Sequence, residues 1–213
     1  MTRYAAVLGP EELLPERPFT DPGNTVREAE MMQSILESER KLARKWGEEG
    51  ESRAHVGRGN DAEGRRHLLV VPDTQALVGA RDVTAVGFFS RPREDVDHAI
   101  LFELEDELVA RMGTYAEAGL LSYYDVELVK GAYGNLILFS TPDVPEAWYG
   151  DVVHRRAVEL SPGHYYEVRL HKGFVPGRLV DEGKVVIERT KYFDFTGESR
   201  WLALRRFRGE TPG

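Results

Sequence analysis

Between residues 83 and 171 the hydrophobic pattern of this chain alternates between strand-like and helix-like, and that order constrains the fold more than any other feature. VTAVGFFS (83–90) is apolar, β-branched and aromatic, as a strand requires. After SRPRED, Val96, Ile100, Leu101, Leu104, Leu108 and Met112 fall on one helical stripe, which Gly119 closes. SYYDVELV (122–129) alternates, GAYG supplies a turn, and NLILFS (135–140) reads as a buried strand. Asp143 and Glu146, with Pro145 between them, predict a cap that launches a helix through Leu160. SPG ends that helix, and HYYEVRLH (164–171) is the next strand. The order β-α-β-β-α-β predicts an α+β protein with two helices on one face of an antiparallel sheet.

The flanks divide the chain into three parts. Residues 1–67 carry one helix, from about Val26 to Trp46, with Met32, Ile35, Leu36, Leu42, Ala43 and Trp46 at helical spacing. Thr25 and Glu28 read as its capping box, just after the breaker run TDPGN. The charged, glycine-containing stretch 48–66 has no apolar period and is expected to be a flexible connector, either a linker or a lid. Residues 68–178 form the organised core, opened by a short strand at HLLVV. Residues 179–213 are expected to add a β-hairpin, KVVIERTKYFDF and RWLALRRF around the turn TGES. Arg200, Arg205, Arg206 and Arg208 make its last strand basic, as a charged edge strand or an anion contact.

Composition removes several function classes. The 213 residues contain no cysteine, so disulfides, thiolate metal sites and cysteine nucleophiles are excluded. A net charge of −8 argues against nucleic-acid and anionic-membrane partners, which call for a positive excess. No stretch is long and apolar enough to span a bilayer, and the N-terminus lacks a secretory pattern, so a cytoplasmic location is expected. The phosphate loop, the dinucleotide fingerprint, the nucleophile elbow and HExxH are all missing from the sequence, and the six histidines have no zinc spacing.

Over residues 83–175, the element order resembles the dimeric α+β barrel superfamily, which includes antibiotic-biosynthesis-type monooxygenases and haem proteins of the chlorite dismutase kind. The resemblance implies a ferredoxin-like core whose open sheet face is covered by a second subunit, enclosing a small-molecule site. It carries no residue-level motif, so no catalytic residue follows from it.

Strand alternation yields the site candidates. On 164–171, Tyr166, Val168 and Leu170 are apolar enough to meet the helices, which leaves Tyr165, Glu167, Arg169 and His171 on the other side. On 122–129, the same reasoning turns Tyr124, Val126 and Leu128 to the helices and places Tyr123, Asp125, Glu127 and Val129 opposite. Both polar-aromatic sets are expected on one face. There Glu167 or His171 would act as a base and Arg169 would stabilise negative charge, with Tyr123, Asp125 and Tyr165 binding ligand. The helix carrying Trp148 and His154 is the other candidate location. The expected function is a small-molecule-binding homodimer, a cofactor-light oxygenase acting on an aromatic or polar metabolite. The alternatives are a haem enzyme with His154 or His171 as axial ligand, and a non-catalytic ligand-binding or interaction module.

Overall fold

The computed structural model describes residues 4–61, 64–128 and 132–207. Val129, Arg208, the Ala62–Glu63 stretch of the expected connector and Gly131 of the GAYG turn lie outside them. The described strands are β1 (Ala6–Leu8), β2 (His55–Asn60), β3 (Arg66–Val71), β4 (Arg81–Pro92), β5 (Leu120–Glu127), β6 (Tyr133–Phe139), β7 (Tyr165–Arg178), β8 (Val186–Asp194) and β9 (Trp201–Arg206). They form one open, mostly antiparallel sheet in the order β1-β9-β8-β7-β4-β6-β5-β3-β2. The helices are α1 (Pro22–Glu49), α2 (Thr74–Gly79), α3 (Ala99–Ala110), α4 (Met112–Glu117), α5 (Glu146–Gly150) and α6 (Val152–His164). No described helix is long and apolar enough to cross a membrane.

The sheet is covered on both faces by its own chain. One face meets α3–α6 over Val70, Val86, Leu104, Tyr123, Ile137, Phe139 and Trp148. The other meets α1, whose Met32, Leu36, Ala43 and Trp46 pack with Ala85, Tyr124, Val126, Leu136 and Val175. At ~1.5 Å per residue, the 28 residues of α1 extend ~42 Å, enough to cross most of the sheet. The face expected to await a second subunit is therefore occupied in cis. A third cluster, Leu8, Phe19, Tyr192 and Ala203, seats the N-terminal segment against β8 and β9.

Local chemistry explains several departures from the sequence reading. Asp21, not Thr25, caps α1, its carboxylate accepting from the Gly23 amide at 2.8 Å with Pro22 in the first turn. Thr25 and Glu28 fall inside the helix, so TDPGN starts it rather than preceding it. The expected connector contains β2, which pairs antiparallel with β3 through the backbone, a bond pattern that needs no apolar alternation. The 143–160 helix is two helices, because Asp151 adopts an extended conformation and caps α6 by accepting from the Val153 amide at 2.8 Å. Pro162 does not end α6, which runs to His164. The C-terminal strand is not an edge, since β1 pairs with β9 in parallel outside it. Arg205 is fully buried there, donating to the carbonyls of Gly9, Glu12 and Thr20 and to the Tyr192 hydroxyl.

Candidate functional site

A cavity of about 400 Å³ lies between the sheet and the α3–α6 layer. Its floor comes from alternate residues of neighbouring strands: Tyr123 and Asp125 on β5, Asn135 and Ile137 on β6, Val86 and Phe88 on β4, Val168 and Leu170 on β7. Register fixes these as rows. Asp125 stands opposite Asn135, Asn135 opposite Phe88, Phe88 opposite Leu170, and Leu170 opposite Lys191 of β8. The roof is Leu101, Leu104, Glu105 and Leu108 from α3, with Trp148 from α5 and His154 and Ala157 from α6. The lining is apolar and aromatic with few polar groups, the usual character of a small-molecule site.

The acidic and amide groups of the lining gather at the β5 end. Burial, and then the neighbouring Glu105 charge, pushes the Asp125 carboxyl well above the usual carboxylate range, against the pull of Arg66. Burial also raises Glu105, opposed by Arg58 and by the Tyr123 hydroxyl, which donates to it at 3.4 Å. Two carboxyls in one apolar enclosure resist double ionisation, so the pair holds a proton into the range where free carboxylates are ionised. Asn135 accepts from the Phe88 amide through Oδ1 at 3.1 Å, and among the described residues its amide NH₂ has no acceptor. A second hollow, of about 360 Å³ and reached past Arg58, Arg66 and His67, shares Phe102, Glu105, Asp125 and Tyr133 with the main cavity. The acid pair thus sits where the two spaces adjoin.

Glu167, Arg169 and His171 point the other way. Arg169 grips Glu28 of α1 in a fork, with Nε 2.8 Å from Oε1 and a terminal nitrogen 2.7 Å from the same oxygen, and it reaches Glu167 at 3.5 Å. His171 is fully buried, with Nε2 2.7 Å from Glu28 Oε2 and Nδ1 2.8 Å from Thr190 Oγ1. Burial alone would raise the Glu28 carboxyl, but the His171 hydrogen bond and the Arg169 guanidinium hold it below its ordinary range. These contacts bind α1 to the sheet.

The structure therefore separates what the sequence reading joined. Tyr123, Asp125, Trp148, His154 and Tyr165 all line the cavity, whereas Glu167, Arg169 and His171 lie on the opposite sheet face. The error is one of parity. Tyr123 shares its row with Ile137, Val86 and Lys172, so odd positions of β5 lie with even positions of β7. Tyr165 changes face because the β4–β7 register shifts between Arg91 and Pro92, and its ring meets Phe88 edge-on at 5.8 Å. Glu105 is a lining residue that strand alternation did not point to. The available signal was its place in the Leu101–Glu105–Leu108 stripe, at i, i+4 and i+7. Asn135 and Lys191 were missed too.

His171 does not suit the role of a haem axial histidine. Such a histidine binds iron with one ring nitrogen and donates the other N–H to an acceptor. Both nitrogens of His171 are already engaged by protein groups. His154 lines the cavity, its ring tilted 5.4 Å from Trp148, and burial lowers its pKa, but its Nδ1 is buried with no partner among the described residues. Among the described residues no three histidine, aspartate or glutamate side chains are grouped to hold a metal ion. No protein-family model matches the chain, and no curated protein or solved structure matches it at significance.

Proposed function

We propose that the protein binds an elongated, largely apolar small molecule in the cavity between the sheet and α3–α6, with Asp125 and Glu105 as the proton-exchanging end of the site. The observation that carries this reading is the placement of a proton-holding carboxyl pair and the free Asn135 amide at one end of a largely apolar enclosure. A desolvated carboxyl of raised pKa serves as a general acid or base near neutral pH. The reaction class is proton transfer to or from an acidic position of the ligand. A cofactor-light oxygenase would begin with such a deprotonation, and its base moves from Glu167 or His171 to Asp125 and Glu105. The element order and the strand order β7-β4-β6-β5 support a ferredoxin-like reading of the core. With α1 across the second face, the barrel-like enclosure expected between subunits gives way to a cavity within one chain.

The neutral dye N-phenyl-1-naphthylamine tests the reading by fluorescence. The dye should bind saturably at one site per chain, and Ala157→Trp, which fills the roof, should abolish the signal in a protein of unchanged circular dichroism. Affinity should fall as pH rises through the range in which the acid pair ionises, because that ionisation puts charge beside the apolar dye. Asp125→Asn combined with Glu105→Gln should flatten that dependence. Unsaturable binding, or binding indifferent to Ala157→Trp, would overturn the proposal.

A further inference from the structure

The end of the cavity opposite the acid pair is basic. Lys191 of β8 and Arg200, just before β9, line it, with Lys172 and Arg189 beside them as a cross-strand pair on the same sheet face. Lys172 is held by Asp143 at 2.6 Å. Among the described residues the side chains of Lys191 and Arg200 form no hydrogen bond or ion pair. Lys191 is not a solvated surface lysine. It is partly buried, its cross-strand partner is Leu170, and the stacked Phe193 and Phe195 (ring centroids 6.3 Å apart) line the same end. An ammonium withdrawn from water without a counterion in contact is costly, and a bound anion would relieve that cost. The same cost shows in its acidity, since burial and then the Arg189 charge pull the Lys191 pKa down against the opposing charge of Asp143.

Position adds a second, independent observation. Lys191 stands in the same cross-strand row as Asp125, the sequence along it being Asp125, Asn135, Phe88, Leu170 and Lys191. Four strand spacings separate the ends, or ~19 Å. The cavity is thus polar at two ends and apolar between them.

Resting on the cavity reading above, we propose that the ligand is an amphipathic organic acid whose carboxylate is received by Lys191 and Arg200. Its apolar body lies over Leu170 and Phe88, and its far end reaches Asp125 and Asn135. The acid pair then acts on a position remote from the carboxylate, and the cationic end sets which molecules enter. This also divides the basic residues near the C-terminus by role: Arg205 is consumed in holding the N-terminal segment, whereas Arg200 is left to meet the ligand.

Displacement of N-phenyl-1-naphthylamine by dodecanoate, dodecanol and dodecylamine, at submicellar concentrations, tests the head-group preference. Dodecanoate should displace the dye at about tenfold lower concentration than either of the others, the increment of one charge-assisted hydrogen bond. Lys191→Met, which keeps the apolar stem, should collapse the dodecanoate-to-dodecanol ratio towards one, and Arg200→Gln should reduce it in part. A ratio near one in the wild type would overturn the inference, as would dodecylamine binding best or a ratio that survives both substitutions. If the dye itself fails to bind, the cavity reading and this inference fall together. If the dye binds and the head group is immaterial, only the inference falls.

Discussion

Glu28 and Glu39 both reach from α1 to the sheet, and their surroundings drive them to opposite protonation states. Glu28 meets Arg169 and His171 and is held ionised. Glu39 is fully buried and is met by the Ser122 hydroxyl, which donates at 2.7 Å. Burial pushes its pKa up to about 8. The folded chain therefore binds a proton on Glu39 that the unfolded chain releases above the ordinary value of 4.5. Its contribution to stability is complete below that value and is lost as pH rises through about 8. Glu28 has the reverse sign, stabilising above the ordinary carboxylate range and losing its effect as pH falls. Glu39→Gln should accordingly raise the melting temperature on the alkaline side and remove the decline between roughly pH 5 and pH 9. The gain at the alkaline end should be on the order of a few kcal/mol. An unchanged pH profile in denaturant melts would show that Glu39 ionises freely in the folded protein.

At the scale of elements, the approach of α1 to the sheet hinges on one glycine. A Cβ at Gly87 would lie 2.6 Å from the sulfur of Met32, which is itself fully buried. Gly87→Val should force α1 outward and cost ~1–3 kcal/mol, read as a lower denaturant midpoint, whereas an unchanged midpoint would mean Met32 can move aside freely. The helix itself was legible in its apolar period, and so were β4, β5, β6 and β7. What covers each face was not. Both faces of the central strands are buried, so β5 has apolar residues on each side, Tyr124 and Val126 towards α1, Leu120 and Tyr123 towards α3–α6. Alternation then cannot say which parity of β5 matches which parity of β7, because two other strands lie between them and their register decides it. For β2 the difficulty was different. Gly57 and Gly59 leave HVGRGN with almost no side-chain pattern, and its pairing with β3 is carried by the backbone.

Over the whole molecule, this one sheet serves two purposes, one on each face. The α1 face is tied by the Glu28–Arg169–His171 contacts and closed by Met32 and Leu36, while the α3–α6 face keeps a cavity with acids at one end and cations at the other. The residues that look most catalytic in the sequence, an arginine, a histidine and a glutamate on one strand face, are the ones that join layers. The functional candidates are spread over β5, β6, α3 and β8, and only tertiary packing brings them together. Adjacent residues of β7 separate the two roles, since Val168 lines the cavity and Arg169 grips α1. The most direct test of the account is therefore a paired comparison of Val168→Phe and Arg169→Ala for dye binding and thermal stability, with Leu170→Phe as a second cavity-filling variant. Val168→Phe and Leu170→Phe should lose the dye while remaining folded, and Arg169→Ala should melt earlier but bind the dye as before when still folded. Loss of dye binding in folded Arg169→Ala, with binding intact in both cavity-filling variants, would contradict this and place the site on the α1 face.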